Sequence, residues 1–334
     1  MKAWQIVSDG GIDSLHLADV AVPEPGPGEV RVKIAASSIN FRDLMAIKDP
    51  AARGLPYPRV PNSDGAGTVT AVGAGVTGVK VGDRVASCFF QDWPAGPCSV
   101  DVMNSALGGA LDGVLAEEVV LKAGGVIPIP DHLTFEQAAT LPCAALTAWH
   151  ALAEVGRVTA GDSVLLLGTG GVSIFALQFA KLMGARVILT SSSDAKLERA
   201  RAMGADDTVN YRTTPEWQDA VMDLTGGVGV DVTVEVGGAG TLAKSIAATR
   251  VGGAIGLIGV LTGGEINPTL IMRKSLKVQG IYVGSYRMFA EMNAAIALHR
   301  LEPVIDQRFA FDDAKEAYRA MEAAGHFGKI VITA

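Results

Sequence analysis

Cysteine and histidine are scarce in this chain, with three and five in 334 residues. Cys88, Cys98 and Cys143 form no CxxC pair and no even framework, which argues against a disulfide scaffold and for a reducing compartment. His16, His132, His150, His299 and His326 make no HxxxH or Cys/His cluster, so spacing assigns them structural or surface places rather than metal ligation. Positive charge is short as well. Lys and Arg number 28 against 35 Asp and Glu, so no broad basic field is there to attract nucleic acid or a membrane surface. A small molecule is the expected partner. The opening MKAWQIVSDGG turns polar too early to supply a signal-peptide core, so the expected location is cytoplasmic.

One long uncharged run stands out, SVLLLGTGGVSIFALQFA over 163–180, which reaches the length of a membrane span. A glycine cluster splits it into an aliphatic piece and an amphipathic piece. It reads as a buried strand followed by a packed helix, with no membrane segment. With 49% hydrophobic residues the chain is long enough for two domains, each with its own core. Over 1–125, short apolar runs such as EVRVKIAASSI alternate with Gly and Pro, the texture of β-rich structure with many turns. Over 126–280, β-like and helical segments alternate, which implies βαβ units and a parallel sheet covered by helices. The tail, 281–334, holds two helical stretches and a final strand, GKIVIT. The fold class is α/β, with a doubly wound parallel sheet beside a β-rich domain. Near its open edge, LKVQGIYVGS reads as a last strand that a second copy would cover, so a homodimer is expected.

The stretch LLLGTGGVSIFALQFAK holds most of a dinucleotide fingerprint, with strand before and helix after. Gly168 ends the strand, and Thr169, Gly170, Gly171 and Val172 bring backbone N–H groups and a helix N-terminus to a pyrophosphate. Ser173 stands where a third glycine serves helix packing, and a small serine leaves the phosphate site open. About twenty residues on, an NAD site places a carboxylate on the ribose. Here Ser191, Ser192 and Ser193 occupy that place, followed by Lys196. Hydroxyls and a cation suit a 2′-phosphate, so NADPH is favoured over NADH. The competing reading gives Asp194 the carboxylate role and leaves Lys196, Arg199 and Arg201 as a solvated helix face.

Several stretches together resemble the medium-chain dehydrogenase/reductase superfamily, in particular its zinc-independent quinone-oxidoreductase branch. They are AASSINFRDLM, PNSDGAGTVTAVGAGVTGVKVGDRV, LPCAALTAWHAL, GDSVLLLGTGGVSIFALQFAK, GARVILTSSSDAKLERARAMGAD, VGGAIGLIGVL and FGKIVIT, in order and across nearly the whole chain. The resemblance implies a GroES-like catalytic domain completed by the tail, a Rossmann domain between, and an active site in their cleft. It also implies that Tyr211 joins Lys196 near the 2′-phosphate and that Gly259 and Val260 line the cofactor. Val283 and Lys329 would lie near the nicotinamide half, and Thr147 would donate to the nicotinamide or its ribose.

Zinc enzymes of that superfamily hold a catalytic metal with two cysteines and a histidine. This chain has Asn40 and Ser63 in two of those places and only Cys143 in the third, a poor donor set, so no zinc is expected. The four-cysteine structural zinc loop is also missing, since 88–113 contains only Cys88 and Cys98. Without a Lewis acid, hydride addition to the β-carbon of an enone, enal or quinone is the favoured reaction, because hydrogen bonds can stabilise the enolate. The alternatives are a zinc-free alcohol dehydrogenase or carbonyl reductase on the same scaffold, and a non-catalytic NADPH-binding structural or regulatory protein. Asn40 is the candidate polar group orienting cofactor or substrate, or else a turn residue bonding its own loop. Lys48 is a speculative proton donor whose plainer reading is a solvated loop lysine, and solvent is the other proton source. Asp43 and Asp64 read as local hydrogen-bonding groups. Phe89, Phe90 and Trp93 offer an apolar substrate wall, or simply anchor their loop to the core.

Overall fold

The segment EVRVKIAASSI folds as one strand, Glu29–Ile39, as its alternation predicts. In the computed structural model, which describes residues 1–333, this strand sits at the centre of a seven-stranded sheet. It pairs antiparallel with Asp64–Val72 on one side, and with Glu118–Lys122 and Lys329–Thr333 on the other. The last strand of the chain therefore docks beside one of the first. Apolar residues on the sheet bury against the helix Phe41–Lys48 and the helix Ala314–Glu322, in a core that includes Ile39, Leu44, Ile47, Tyr318, Ile330 and Ile332.

The chain divides into two compact units, Met1–Leu146 with Val283 onward, and Thr147–Tyr282. The first boundary lies later than the 125 expected from texture. Val126–Pro128 pairs with Arg84–Ser87 in the first unit's sheet, and the helix Phe135–Ala138 packs on strands of that sheet, so these segments belong with it. The second boundary follows Tyr282.

In the second unit six strands are all parallel: Ser163–Leu167, Arg186–Ser191, Asp207–Asn210, Val230–Glu235, Thr249–Leu257 and Lys277–Gly280. In space they run third, second, first, fourth, fifth, sixth, the Rossmann order. The order reverses beside the first strand. A ligand in such a sheet sits at the carboxyl ends of the strands at that switch point. The uncharged run 163–180 resolves into the strand Ser163–Leu167 and the helix Gly171–Leu182. Among the described residues no helix is long and apolar enough to cross a membrane.

Candidate active site

In the second unit, the turn after Ser163–Leu167 has the geometry of a phosphate cradle. Gly168 takes φ +73°, which favours glycine, and Gly170 stands at the N-cap of the helix that begins at Gly171. Among the described residues, no atom beyond the adjoining residues lies within 4 Å of where a Cβ would sit on Gly168 or Gly170, which leaves room for a ligand to reach backbone distance there. The first turn of a helix leaves N–H groups without intrahelical partners, and Thr169, Gly171 and Val172 belong to this turn. Ser173 is buried and donates a 2.6 Å hydrogen bond to the Leu167 carbonyl. In place of a close glycine contact, a side-chain bond ties helix to strand.

At the end of the second strand, Ser191 is buried and its hydroxyl accepts from Ser193 N at 3.4 Å. Ser193 in turn caps the helix Asp194–Ala202 by accepting from Lys196 N at 3.4 Å. Two of the three serines thus shape the turn, and Ser192 and Lys196 stand partly exposed in it. Tyr211 is brought beside them, its N–H donating 3.0 Å to the Ser191 carbonyl. The Asp194 carboxylate accepts a 2.7 Å hydrogen bond from the Asn210 side chain.

Gly259 follows the fifth strand and donates to the Glu235 carbonyl. A Cβ there would stand 2.2 Å from the Val236 carbonyl carbon, so only glycine fits. Val260 is largely exposed beside it. Sequence reasoning missed Glu235, which organises this loop. Its buried carboxylate accepts from Gly237 N, Gly238 N and Thr241 Oγ1, and closely from Ser245 Oγ. The available signal was an acidic residue ending an apolar strand before two glycines.

In the first unit the tail strand carries Lys329 into a buried polar cluster. Lys329 is 3% exposed, and its Nζ donates to the Ile39 carbonyl at 2.8 Å and to Asn40 Oδ1 at 2.5 Å. Asn40 follows the central strand and caps the helix Phe41–Lys48, its N–H held by Asp43 Oδ2 at 2.8 Å. Lysine can only donate, so the amide oxygen must face it and the NH2 group turns toward Asp64. That nitrogen is close enough to help hold the Asp64 pKa down, yet it reaches no hydrogen-bond geometry with any described group. Asp64 accepts from Ser63 Oγ at 2.6 Å and from Cys143 N at 3.0 Å. Burial pushes its carboxyl up to about 6, against the lowering pull of Lys329. Burial likewise lowers the Lys329 pKa, with Asp64 opposing. Val283, φ +57°, is buried in this unit, while Thr147 is buried at the start of the second.

Two expectations are corrected. Lys48 does not join the cluster; its Nζ forms a 2.8 Å ion pair with Glu322, both half exposed. This is the surface lysine of the plainer reading, since the last turn of its helix points it outward. Phe89, Phe90 and Trp93 do not form an open wall, for each is at most 4% exposed. Phe90 packs edge-on against both other rings, and Trp93 Nε1 bonds the Gly96 carbonyl at 2.9 Å, which anchors the loop.

The donors do not fit a catalytic zinc. Asn40 Oδ1 is held by an ammonium, Ser63 Oγ is spent on Asp64, and burial with the neighbouring Asp64 carboxylate pushes the Cys143 thiol far above its ordinary pKa. A buried ammonium in that cluster would also repel a dication. Among the described residues no group of three His, Cys, Asp or Glu side chains could hold a metal. The cradle of the second unit does fit a nicotinamide dinucleotide.

Residues 26–131 match the alcohol dehydrogenase GroES-like domain family, and residues 171–298 match the zinc-binding dehydrogenase family. A zinc-type alcohol dehydrogenase-like protein of Schizosaccharomyces pombe is 43% identical over 96% of both chains. The 2-methylene-furan-3-one reductase of Solanum lycopersicum is 32% identical over 99% of this chain and 79% of its own. The crystal structure of a putative alcohol dehydrogenase from Sinorhizobium meliloti 1021 superposes with a TM-score of 0.92 at 42% identity, covering 100% of this chain and 98% of that one. The chain belongs to the medium-chain dehydrogenase/reductase superfamily, as an oxidoreductase.

Proposed function

We propose that this protein is a metal-free, NADPH-dependent reductase of activated double bonds or quinones. The observation that carries the reading is the Lys329 ammonium bonded to Asn40 Oδ1. A cluster built on a buried cation and an amide offers fixed hydrogen-bond donors in place of a Lewis acid. Fixed donors suffice where charge spreads over a conjugated oxygen, whereas an unactivated carbonyl demands more.

Gly168, Thr169, Gly170, Gly171 and Val172 would hold the pyrophosphate, and Ser192, Lys196 and Tyr211 the 2′-phosphate, with Ser191 and Ser193 shaping that turn. Gly259 and Val260 would line the dinucleotide. Bound NADPH supplies the hydride to the β-carbon. Asn40, set by Lys329, orients the bound ligand, and Thr147 donates to the nicotinamide or its ribose. Val283 shapes the backbone near that half. Since Lys48 is committed to Glu322, water delivers the proton to the enolate. The relative that reduces a methylene-furanone, an activated double bond by its name, supports the substrate class.

A second copy of the chain is the proposed partner. Lys277–Gly280 is a terminal strand with one edge unpaired, and exposed Leu270, Met272 and Tyr282 lie close to it in sequence. Three free cysteines suit a reducing cytoplasm.

The test follows nicotinamide absorbance with NADPH and with NADH, offering matched enone, quinone, aldehyde and saturated ketone, each with and without a chelator. Chelator-insensitive oxidation of NADPH by enone or quinone is expected. Dependence on metal, or preference for NADH and saturated carbonyls, would give the protein to the alcohol-dehydrogenase reading. Tight NADPH binding with no turnover would make it a binding protein.

A further inference from the structure

The second unit carries an acidic residue within the stretch proposed to hold the 2′-phosphate. Asp194 opens the helix that follows the second strand, two residues before Lys196. A free carboxylate at this place would repel a 2′-phosphate and would suit a ribose hydroxyl. At the surface the Asp194 carboxylate is held by a neighbouring amide. Asn210, the last residue of the third strand, donates its Nδ2 to Asp194 Oδ1 at 2.7 Å. The other end of the same amide is also used, since Oδ1 accepts from Arg212 N at 3.0 Å. An N–H donor on one side and a carboxylate on the other allow the amide only one orientation. The backbone of Asn210 lies opposite Ser191, and the next N–H, that of Tyr211, bonds the Ser191 carbonyl. The amide thus spans from the Asp194 carboxylate to the turn that sets Tyr211 beside the serines.

We propose that Asn210 is a specificity-determining residue, which holds the Asp194 carboxylate out of the 2′-phosphate site and so lets one helix start accept NADPH rather than NADH. The inference rests on the NADPH reading above. Asn210 touches no cofactor in this role and acts through Asp194, as a positioning residue. The substitution Asn210→Ala frees the carboxylate to swing toward its neighbours, while Asp194→Asn removes the charge whether or not Asn210 holds it.

The experiment is a double-mutant cycle on the whole chain, read as dissociation constants for NADPH and NADH by fluorescence, with no substrate needed. Asn210→Ala is expected to lower the NADPH preference about tenfold, the size of one charge a few ångströms away at a water-exposed site. Asp194→Asn in that background is expected to restore the wild-type ratio, and alone to change it far less. If Asn210→Ala leaves the ratio unchanged, or if Asp194→Asn fails to restore it, the inference is overturned. The second result would mean that Asn210 matters only for building the turn. A wild-type protein that prefers NADH overturns the NADPH reading itself, an outcome seen before any variant is made.

Discussion

Lys329 and Asn40, 289 residues apart in sequence, share a 2.5 Å hydrogen bond inside the first unit. The ammonium sits on the last strand and the amide just after the central one, so the bond joins the tail to the helix cap. Asp64 depends on the same cation, whose charge partly offsets the cost of its burial.

Lys329→Met should therefore leave the Asn40 oxygen without its donor and Asp64 without its counter-charge. A loss of about 3 kcal/mol in folding free energy is expected, as for breaking a buried pair. Urea unfolding measures it. Lys329→Arg, which keeps a donor and a charge, should recover part of both stability and turnover.

Ser173→Ala removes the bond to the Leu167 carbonyl and leaves that buried acceptor unpaired. A cost of about 1–2 kcal/mol is expected, together with weaker dinucleotide binding, because the strand and helix that frame the cradle lose a tie. Thermal unfolding with and without NADPH separates the two effects.

Asp64 makes stability fall with rising pH. Its carboxyl is held at about 6 in the folded chain, above the ordinary value of 3.8. The folded state therefore binds this proton more tightly. The contribution is complete below about pH 3.8, shrinks as pH rises, and is gone above about 6, a change of up to about 3 kcal/mol. Asp64→Asn should flatten that part of the stability profile. An unchanged profile in the variant would show that another group produces it.

Light scattering at working concentration should give twice the mass of one chain if the open edge at Lys277–Gly280 is covered by a second copy. A monomer mass would refute the dimer.

Much of the site was legible where its parts are close in sequence. The turn from Gly168 to Ser173 and the stretch from Ser191 to Lys196 each lie within one βα unit, so spacing alone placed them at strand ends. The roles of Ser191 and Ser193 within the turn were not legible, because a hydroxyl that caps a helix and one that binds a phosphate look alike in a string. Phe89, Phe90 and Trp93 misled for a related reason: an aromatic run in a Pro-rich loop is compatible with a pocket wall and with an anchor, and only packing distinguishes them.

The sequence by itself determined the βαβ texture of the second unit, the β-rich texture of the first and the place of the phosphate turn, because these follow from local periodicity and from glycines at fixed places, whereas the order of the strands in space came only with the sheet. Only the tertiary structure decided that Lys329 meets Asn40 and Asp64, that Lys48 meets Glu322, and that Asn210 holds Asp194. The first two are contacts between elements distant in the chain, and the third joins a helix to the strand that follows it. The electrostatics of each depend on burial and on which partner the packing supplies, and neither is written in the spacing of residues along one strand or helix.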